Sequence, residues 1–359
     1  MSRTTNTHAP YQFHRAALQP LLKDTRFELS KSLVSKDGES EFLTFLLQQG
    51  LAPMWDKALE TAEPCGFSNH FLATLHQARL LATGAYLIQR NRMNDIRTIL
   101  DGEHMAHAVY KGAAVREKIY SEPALRPAAD IDVLIHEDDK IKVVEAFQNS
   151  GYVFYGEAKS ISHEANLVKG KSSIDLHWDI MRPGRTRVSI VKWLLEERED
   201  CGDFWSFNTE GALMVMLMHP VFTKYSTTPQ ASLVRILDLV GLLEQTQPDW
   251  KKLYAWLERS GMQTAAWITL RWLNLLTGES IAEPVQSSLK PGRAKTKYLN
   301  YWLENNFSTR YLDKPAIVKA GFTLPAHDSV GDAVKAVVTA RRLARQADND
   351  LKSLQKTAG

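Results

Sequence analysis

Two short segments in which apolar and acidic residues alternate constrain the fold of this chain more than any other feature. The first, "ADIDVLI", carries Asp130 and Asp132, and the second, "SIDLHWDI", carries Asp175 and His177. Successive side chains of a β-strand point to opposite faces of the sheet, so each segment predicts a strand with one apolar and one polar face. Because the two patterns match, we expect the strands to be neighbours, with Asp130, Asp132 and Asp175 converging on one surface.

Helical periodicity flanks this strand region on both sides. Apolar residues recur every three or four positions in "FLATLHQARLLATGAYLIQRNRMNDIRTILDG" and again in "ASLVRILDLVGLLEQ". Short strand-like runs with glycine and proline turns lie between them. We therefore expect an α/β (α+β) fold with a small mixed-sheet core and helical segments on either side. The expected boundaries are a helical N-terminal segment at 1–100, the α/β core at 101–204, a helical C-terminal domain at 205–345 and a polar tail at 346–359.

Composition and charge narrow the class of protein. The net charge is only +3, and the basic residues form no block, which argues against nucleic acid as a partner. No stretch of 18 apolar residues and no apolar leader is present, so we expect a cytoplasmic protein that does not enter a membrane. Cys65 and Cys201 lack metal-ligand spacing and are expected to be reduced thiols.

The converging carboxylates predict a metal site. Asp130, Asp132 and Asp175 would repel one another at low dielectric, and a bound divalent cation removes that repulsion. Carboxylate oxygens are hard ligands that suit Mg²⁺ or Mn²⁺. The simpler alternative, that the aspartates only line the solvated face of an edge sheet, stays open on the alternation alone.

A glycine turn between a strand-like and a helix-like run adds a second signal. In "MAHAVYKGAAVREKIY", Gly112 ends the first run and begins the second. Such a turn offers backbone N–H groups and the positive end of a helix to an anion. Lys111 before the turn and Arg126 ahead of the carboxylates are expected to contact phosphate oxygens. Together with the carboxylates, the turn favours a phosphate-bearing substrate.

Four other polar residues have more than one interpretation. His177 is expected either to contact phosphate or shape the site, or to be simply structural. His219, before Pro220, is expected to be a satisfied histidine at the end of a helix. Arg235 and Asp238 are three residues apart in a helical pattern, which favours an ion pair on the helix surface over contacts to a substrate.

The run "KGAAVREKIYSEPALRPAADIDVLI", with "AFQNSGYVF" and "IDLHWDI" after it, resembles the nucleotidyltransferases of the DNA polymerase β-like superfamily. Within that superfamily it resembles a bacterial branch described as an uncharacterised nucleotidyltransferase family. The resemblance covers about residues 85–260 and includes "LMHP" and "LVRILDLVGLL" downstream. It implies a polymerase-β-like core and a bacterial origin.

The resemblance also implies roles for individual residues. In the superfamily a Gly-Ser or Gly-Gly turn holds a triphosphate, while paired and third acidic residues hold two metal ions. Gly112 matches the turn, Asp130 and Asp132 match the pair, and Asp175 matches the third carboxylate. Ala113 stands where the wider superfamily has serine, so backbone N–H groups would have to bind the phosphate instead of a hydroxyl.

The activity implied is transfer of a nucleoside monophosphate to an acceptor hydroxyl or phosphate. The expected donor is ATP, which would give AMP as the transferred group. The mechanism implied uses two metal ions, Mg²⁺ or Mn²⁺. A peptide or protein, a sugar or a small molecule is expected as the acceptor ahead of nucleic acid. Two alternatives remain at this point. One is a non-catalytic nucleotide-binding or scaffold protein with the same fold, and the other is a metal-dependent phosphohydrolase.

Overall fold

The computed structural model describes residues 11–22, 27, 30, 38–61, 66–155, 164–170, 172–224, 233–278, 280–305 and 316–342. Cys65 and the expected tail at 346–359 lie outside these ranges. The N-terminal helices are α1 (Gln12–Leu18), α2 (Glu39–Gln48), α3 (Ala52–Glu60) and α4 (Asn69–Gly102). Helix α4 begins after Ser68, whose hydroxyl accepts a hydrogen bond from the N–H of Phe71 at 3.2 Å. The described segments before β1 are thus largely helical.

The strands of the described residues form one seven-stranded mixed sheet. They are β1 (His107–Tyr110), β2 (Ile131–Ile135), β3 (Val153–Tyr155), β4 (Glu164–Lys169), β5 (Ser172–His177), β6 (Arg198–Asp200) and β7 (Trp205–Phe207), in the spatial order β3-β4-β5-β2-β1-β7-β6. Strand β2 pairs antiparallel with β1 and parallel with β5. The mixed sheet confirms the expected α+β class.

Three helices alternate with the strands of this sheet: α5 (Gly112–Ile119), α6 (Lys140–Asn149) and α7 (Val191–Glu196). Strand β2 is central, and all five of its residues are buried. Ile131 and Val133 pack into a core that also contains Met93 of α4 and Phe147 of α6. Leu134 packs into the other core, on the side of the C-terminal helices. Because alternate residues share a face, Asp132 points to the same side of the sheet as Leu134.

The C-terminal helices lie against that second side. They are α8 (Thr209–His219), α9 (Val234–Gln245), α10 (Trp250–Ser260), α11 (Gln263–Thr277), α12 (Glu283–Ser288), α13 (Arg293–Glu304) and α14 (Ala316–Thr323), and residues 330–342 are also helical. Helix α9 packs on α5 and α8 packs on β7, which brings the helical part against the sheet. Among the described helices, none has the length and apolar character needed to cross a membrane.

Candidate functional site

The parallel pairing of β2 and β5 brings the predicted carboxylates side by side. The register sets Asp132 opposite Asp175 and Leu134 opposite His177. The ligand atoms of Asp132, Asp175 and His177 all lie within 4.8 Å of one another. We call these three residues the acidic cluster. The expectation that the two strands are neighbours is therefore confirmed.

Asp130 lies immediately before the first residue of β2. Among the described residues, the acidic cluster has Asp132, Asp175 and His177 as members and does not include Asp130. The structure therefore brings together two of the three predicted carboxylates, with an imidazole as the third member.

Asp132 is a buried carboxylate with two partners. Its Oδ1 accepts a hydrogen bond from Lys111 Nζ at 2.5 Å and contacts His177 Nε2 at 2.8 Å. Burial alone would raise the pKa of Asp132, but the positive charge of Lys111 and the hydrogen bond from His177 outweigh it and hold the pKa well below its usual range. Asp132 is therefore an anion at neutral pH.

Asp175 is only partly buried, and Asn166 on the neighbouring strand β4 orients its carboxylate. Strand β4 pairs antiparallel with β5, and the register sets Asn166 opposite Asp175. The amide of Asn166 donates to Asp175 Oδ1 at 2.7 Å and to Ser173 Oγ at 2.7 Å. This hydrogen bond fixes one oxygen of Asp175 and leaves the other for a ligand. The sequence interpretation did not include Asn166.

His177 is placed to orient Asp132. Because a carboxylate can only accept, Nε2 carries the proton in the contact with Asp132 Oδ1. The ring also makes an edge contact with Tyr110, with 5.6 Å between ring centroids. Its side chain is 9% exposed. In this arrangement His177 holds the carboxylate of Asp132 in position.

The glycine turn lies next to the acidic cluster, as the pairing of β1 with β2 requires. Tyr110 is opposite Asp132, and Lys111 and Gly112 follow directly. Lys111 takes an unusual backbone conformation, with φ 57° and ψ −141°, immediately before α5. Gly112 and Ala113 form the first turn of α5, where backbone N–H groups have no acceptor within the helix. The predicted phosphate-binding turn is thus a helix N-terminus beside Asp132.

Arg126 covers the turn and forms an ion pair with the helical region. Its Nη2 lies 2.5 Å from Asp238 Oδ2, and its Nε lies 3.2 Å from both carboxylate oxygens. Asp238 also accepts a hydrogen bond from the hydroxyl of Tyr120 at 2.9 Å. A Cβ added to Gly112 would lie 2.2 Å from Arg126 Nη1, so the guanidinium rests directly on the glycine.

This arrangement corrects one sequence interpretation. A surface ion pair between Arg235 and Asp238 was expected, but Asp238 is only 2% exposed and pairs with Arg126. The reason is that α9 turns the Asp238 side of the helix towards α5 instead of towards solvent. His219 ends α8 and is buried, in agreement with its expected place at a helix end.

A cavity of about 40 Å³ separates the turn from the C-terminal helices. Lys111, Gly112 and Arg126 line one side, and His219 and Arg235 line the other. Its volume is far below the ~300–1,000 Å³ of sites that enclose small molecules. In this conformation the cavity therefore does not hold a nucleotide, although cationic side chains surround it.

The donor set fits a divalent cation. Two carboxylates in register on adjacent strands present hard oxygen ligands, which suit Mg²⁺ or Mn²⁺. The carboxylate of Asp132 is buried and already requires positive charge nearby, which Lys111 supplies here. The same oxygen ligands suit Mn²⁺ as well as Mg²⁺, so Mn²⁺ can serve as the probe of this site.

Comparison with known proteins gives one assignment. No curated protein shows a significant match to this chain. Residues 35–278, more than half of the chain, match the model of a family described as uncharacterised nucleotidyltransferases. The match spans the sheet, the acidic cluster, the glycine turn and helices α8 to α11. The chain belongs to this uncharacterised nucleotidyltransferase family.

Proposed function

We propose that the protein is a metal-dependent enzyme that transfers a nucleoside monophosphate from a nucleoside triphosphate to an acceptor hydroxyl or phosphate and releases pyrophosphate. One observation carries the proposal: Asp132 and Asp175 lie side by side on parallel strands, next to a glycine turn that begins a helix. Carboxylates for a cation and free N–H groups for phosphates are the two elements that nucleotidyl transfer requires. The family assignment supports the same reaction class.

Asp132 and Asp175 would hold Mg²⁺ or Mn²⁺, which when bound would polarise the α-phosphate and favour an acceptor oxygen aligned for displacement. Asp130 is the further ligand that the resemblance to the polymerase β-like superfamily suggests, and that superfamily assignment is part of the proposal. His177 keeps Asp132 in its orientation, and Asn166 does the same for Asp175.

The glycine turn would bind the phosphates. Backbone N–H groups of Gly112 and Ala113 offer neutral donors at the positive end of α5. Lys111 and Arg126 add positive charge around the turn. Asp175 is the more exposed carboxylate of the cluster, and its Oδ2 is the proposed acceptor for the proton that leaves the attacking hydroxyl.

The donor we propose is ATP, with AMP as the transferred group. A peptide or protein, a sugar or a small molecule is proposed as the acceptor. The C-terminal helices α8 and α9 lie across the cavity from the glycine turn, so their side chains are the ones that would face an acceptor entering from that side.

The test compares two labelled forms of ATP. The protein is incubated with a cell extract and Mn²⁺, together with either α-labelled or γ-labelled ATP. Transfer of the α label to an extract component supports the proposal if it is absent in Asp132→Asn and retained in the control Asp138→Asn. Asp138 is an exposed residue after β2. Release of γ phosphate with no transfer of the α label would instead indicate a phosphohydrolase. Nucleotide binding with neither reaction would indicate a non-catalytic protein.

A further inference from the structure

Lys111 forms an ion pair with Asp132, the buried carboxylate of the proposed cation site. Its ammonium lies 2.5 Å from Asp132 Oδ1, and the two side chains are 16% and 9% exposed. The same oxygen also contacts His177 Nε2. A buried carboxylate requires a compensating positive charge, and Lys111 supplies it in this structure. Asp132 Oδ1 is therefore already shared by two donors.

The chain position of Lys111 also places it at the proposed phosphate site. Lys111 directly precedes Gly112 and is the residue that leads into α5. Its side chain lines the cavity beside the glycine turn, together with Arg126 and Arg235. A lysine has a flexible stem with four methylene groups, so its ammonium can exchange between two anions a few ångströms apart. One side chain thus reaches both Asp132 and the region where phosphates would lie.

A divalent cation and an ammonium ion cannot both bind Asp132 Oδ1 at low cost. Like charges repel strongly at short distance in a buried site. Metal binding at this oxygen must therefore displace Lys111, and the freed ammonium then needs a new anionic partner. The triphosphate at the glycine turn is the anion that the proposed function provides.

We propose that Lys111 is an exchangeable counter-ion, bound to Asp132 in the resting protein and transferred to the substrate phosphates when a divalent cation takes its place. This inference rests on the proposed function. It implies that the metal ion and the nucleotide each raise the binding affinity of the other. The metal ion frees Lys111 to bind the phosphates, and the phosphates give the displaced ammonium a new anionic partner. Such coupling is reciprocal by thermodynamic necessity. A metal ion would bind weakly in the absence of nucleotide, so the site would seldom be occupied by metal alone.

The experiment measures Mn²⁺ binding by calorimetry in the wild type, Lys111→Met and a matched control, Lys118→Met. Lys118 lies on α5, the helix that Lys111 precedes, and is similarly buried, but it pairs with Glu199. The exchange predicts that Lys111→Met binds Mn²⁺ about tenfold more tightly in the absence of nucleotide, about 1.4 kcal/mol. At saturating Mn²⁺, the same variant should bind α,β-methylene-ATP about tenfold more weakly. The control should change neither affinity.

A third variant, Lys111→Arg, retains the positive charge and should keep Mn²⁺ affinity near that of the wild type. If Lys111→Met folds poorly, Lys111→Gln can replace it as the neutral variant. The Mn²⁺ affinity of Lys111→Gln is then compared with that of Lys111→Arg. Unchanged or weaker Mn²⁺ binding in the neutral variants would overturn the exchange while leaving the proposed function in place. If Mn²⁺ does not bind the wild type, and Asp132→Asn does not change the transfer of the α label, the exchange and the proposed function both fail.

Discussion

Arg126 and Asp238 form a buried ion pair between residues 112 positions apart in the chain. Arg126 is on the loop before β2, and Asp238 is on α9. Tyr120 donates a further hydrogen bond to the same carboxylate. The pair therefore joins the loop that leads to the acidic cluster to the C-terminal helices, and it holds the Arg126 guanidinium against Gly112.

Removing the charge of Asp238 should destabilise the protein. In Asp238→Asn we expect the free energy of unfolding to fall by about 3 kcal/mol, because breaking a buried pair leaves the guanidinium uncompensated. Urea denaturation at pH 7 measures the change. The control is Lys192→Gln, which removes an exposed ion pair with Glu196 and should cost less than about 0.5 kcal/mol. Equal stability of Asp238→Asn and the wild type would contradict a structural role for the pair.

Gly112→Ala should disturb Arg126 directly. The new Cβ would lie 2.2 Å from Nη1 and 2.6 Å from Cζ of Arg126, and Asp238 restricts the guanidinium from moving aside. We expect lower stability, by about 1–3 kcal/mol as for overpacked sites, together with weaker binding of α,β-methylene-ATP. Thermal denaturation and calorimetry measure the two effects.

Gly84→Ala is the matched control for that change. Gly84 lies inside α4, and a Cβ there would meet no atom within 4 Å. Alanine favours a helix over glycine by about 0.8–1.0 kcal/mol, so this variant should be more stable than the wild type. The two substitutions are chemically identical and should change the melting temperature in opposite directions. A rise at both positions would show that Arg126 moves freely away from Gly112.

Asn166→Ala tests whether Asn166 positions Asp175. Loss of its 2.7 Å hydrogen bond frees the carboxylate to rotate. Partners that orient metal ligands typically contribute 10–100-fold to activity, so we expect kcat to fall by about that factor while KM for ATP changes little. Asn149→Ala, at the exposed end of α6, serves as the control. A change confined to KM would assign Asn166 to substrate binding instead.

The face of the sheet on which each site residue lies was predictable, because alternation within a strand is local information. Alternation determines which side chains share a face, and it correctly indicated that Asp132 and Asp175 lie together. Asn166 could also have been found from the same hairpin. A turn that pairs Lys169 with Ser172 necessarily pairs Asn166 with Asp175.

The ion pairs around the site could not be predicted in the same way. Asp238 meets Arg126 only because α9 packs on α5 with one particular rotation, and helical periodicity alone gives no partner for a buried aspartate. The contact of Lys111 with Asp132 depends on the antiparallel register of β1 with β2, whose strands are joined by a 20-residue connection. Both contacts depend on tertiary packing and not on local sequence pattern.

Asp132→Asn combines loss of function with loss of stability. Repulsion among carboxylates alone would make the variant more stable, but Lys111 and His177 both bind Asp132 in the structure. The substitution leaves the Lys111 ammonium without its charged partner, so the free energy of unfolding should fall by about 3 kcal/mol at pH 7. Nucleotide transfer should be abolished, because the cluster would retain one charged carboxylate, Asp175. The control Asp138→Asn should change neither property.

The pH dependence of Asp132→Asn separates the charge from other effects of the substitution. Burial would raise the pKa of Asp132, but the positive charge of Lys111 and the hydrogen bond from His177 outweigh it and lower the pKa. The folded protein therefore keeps this carboxylate charged at pH values where the unfolded chain takes up a proton. Its stabilising contribution is thus complete above the unfolded pKa of about 3.9 and declines as the pH falls below it. The stability difference between the wild type and Asp132→Asn should therefore be constant from pH 7 to 5 and shrink below about pH 4. Urea denaturation at pH 7, 5, 4 and 3 measures it. A difference that stays constant down to pH 3 would mean that the amide costs stability through its shape or hydrogen bonding and not through the lost ion pair with Lys111.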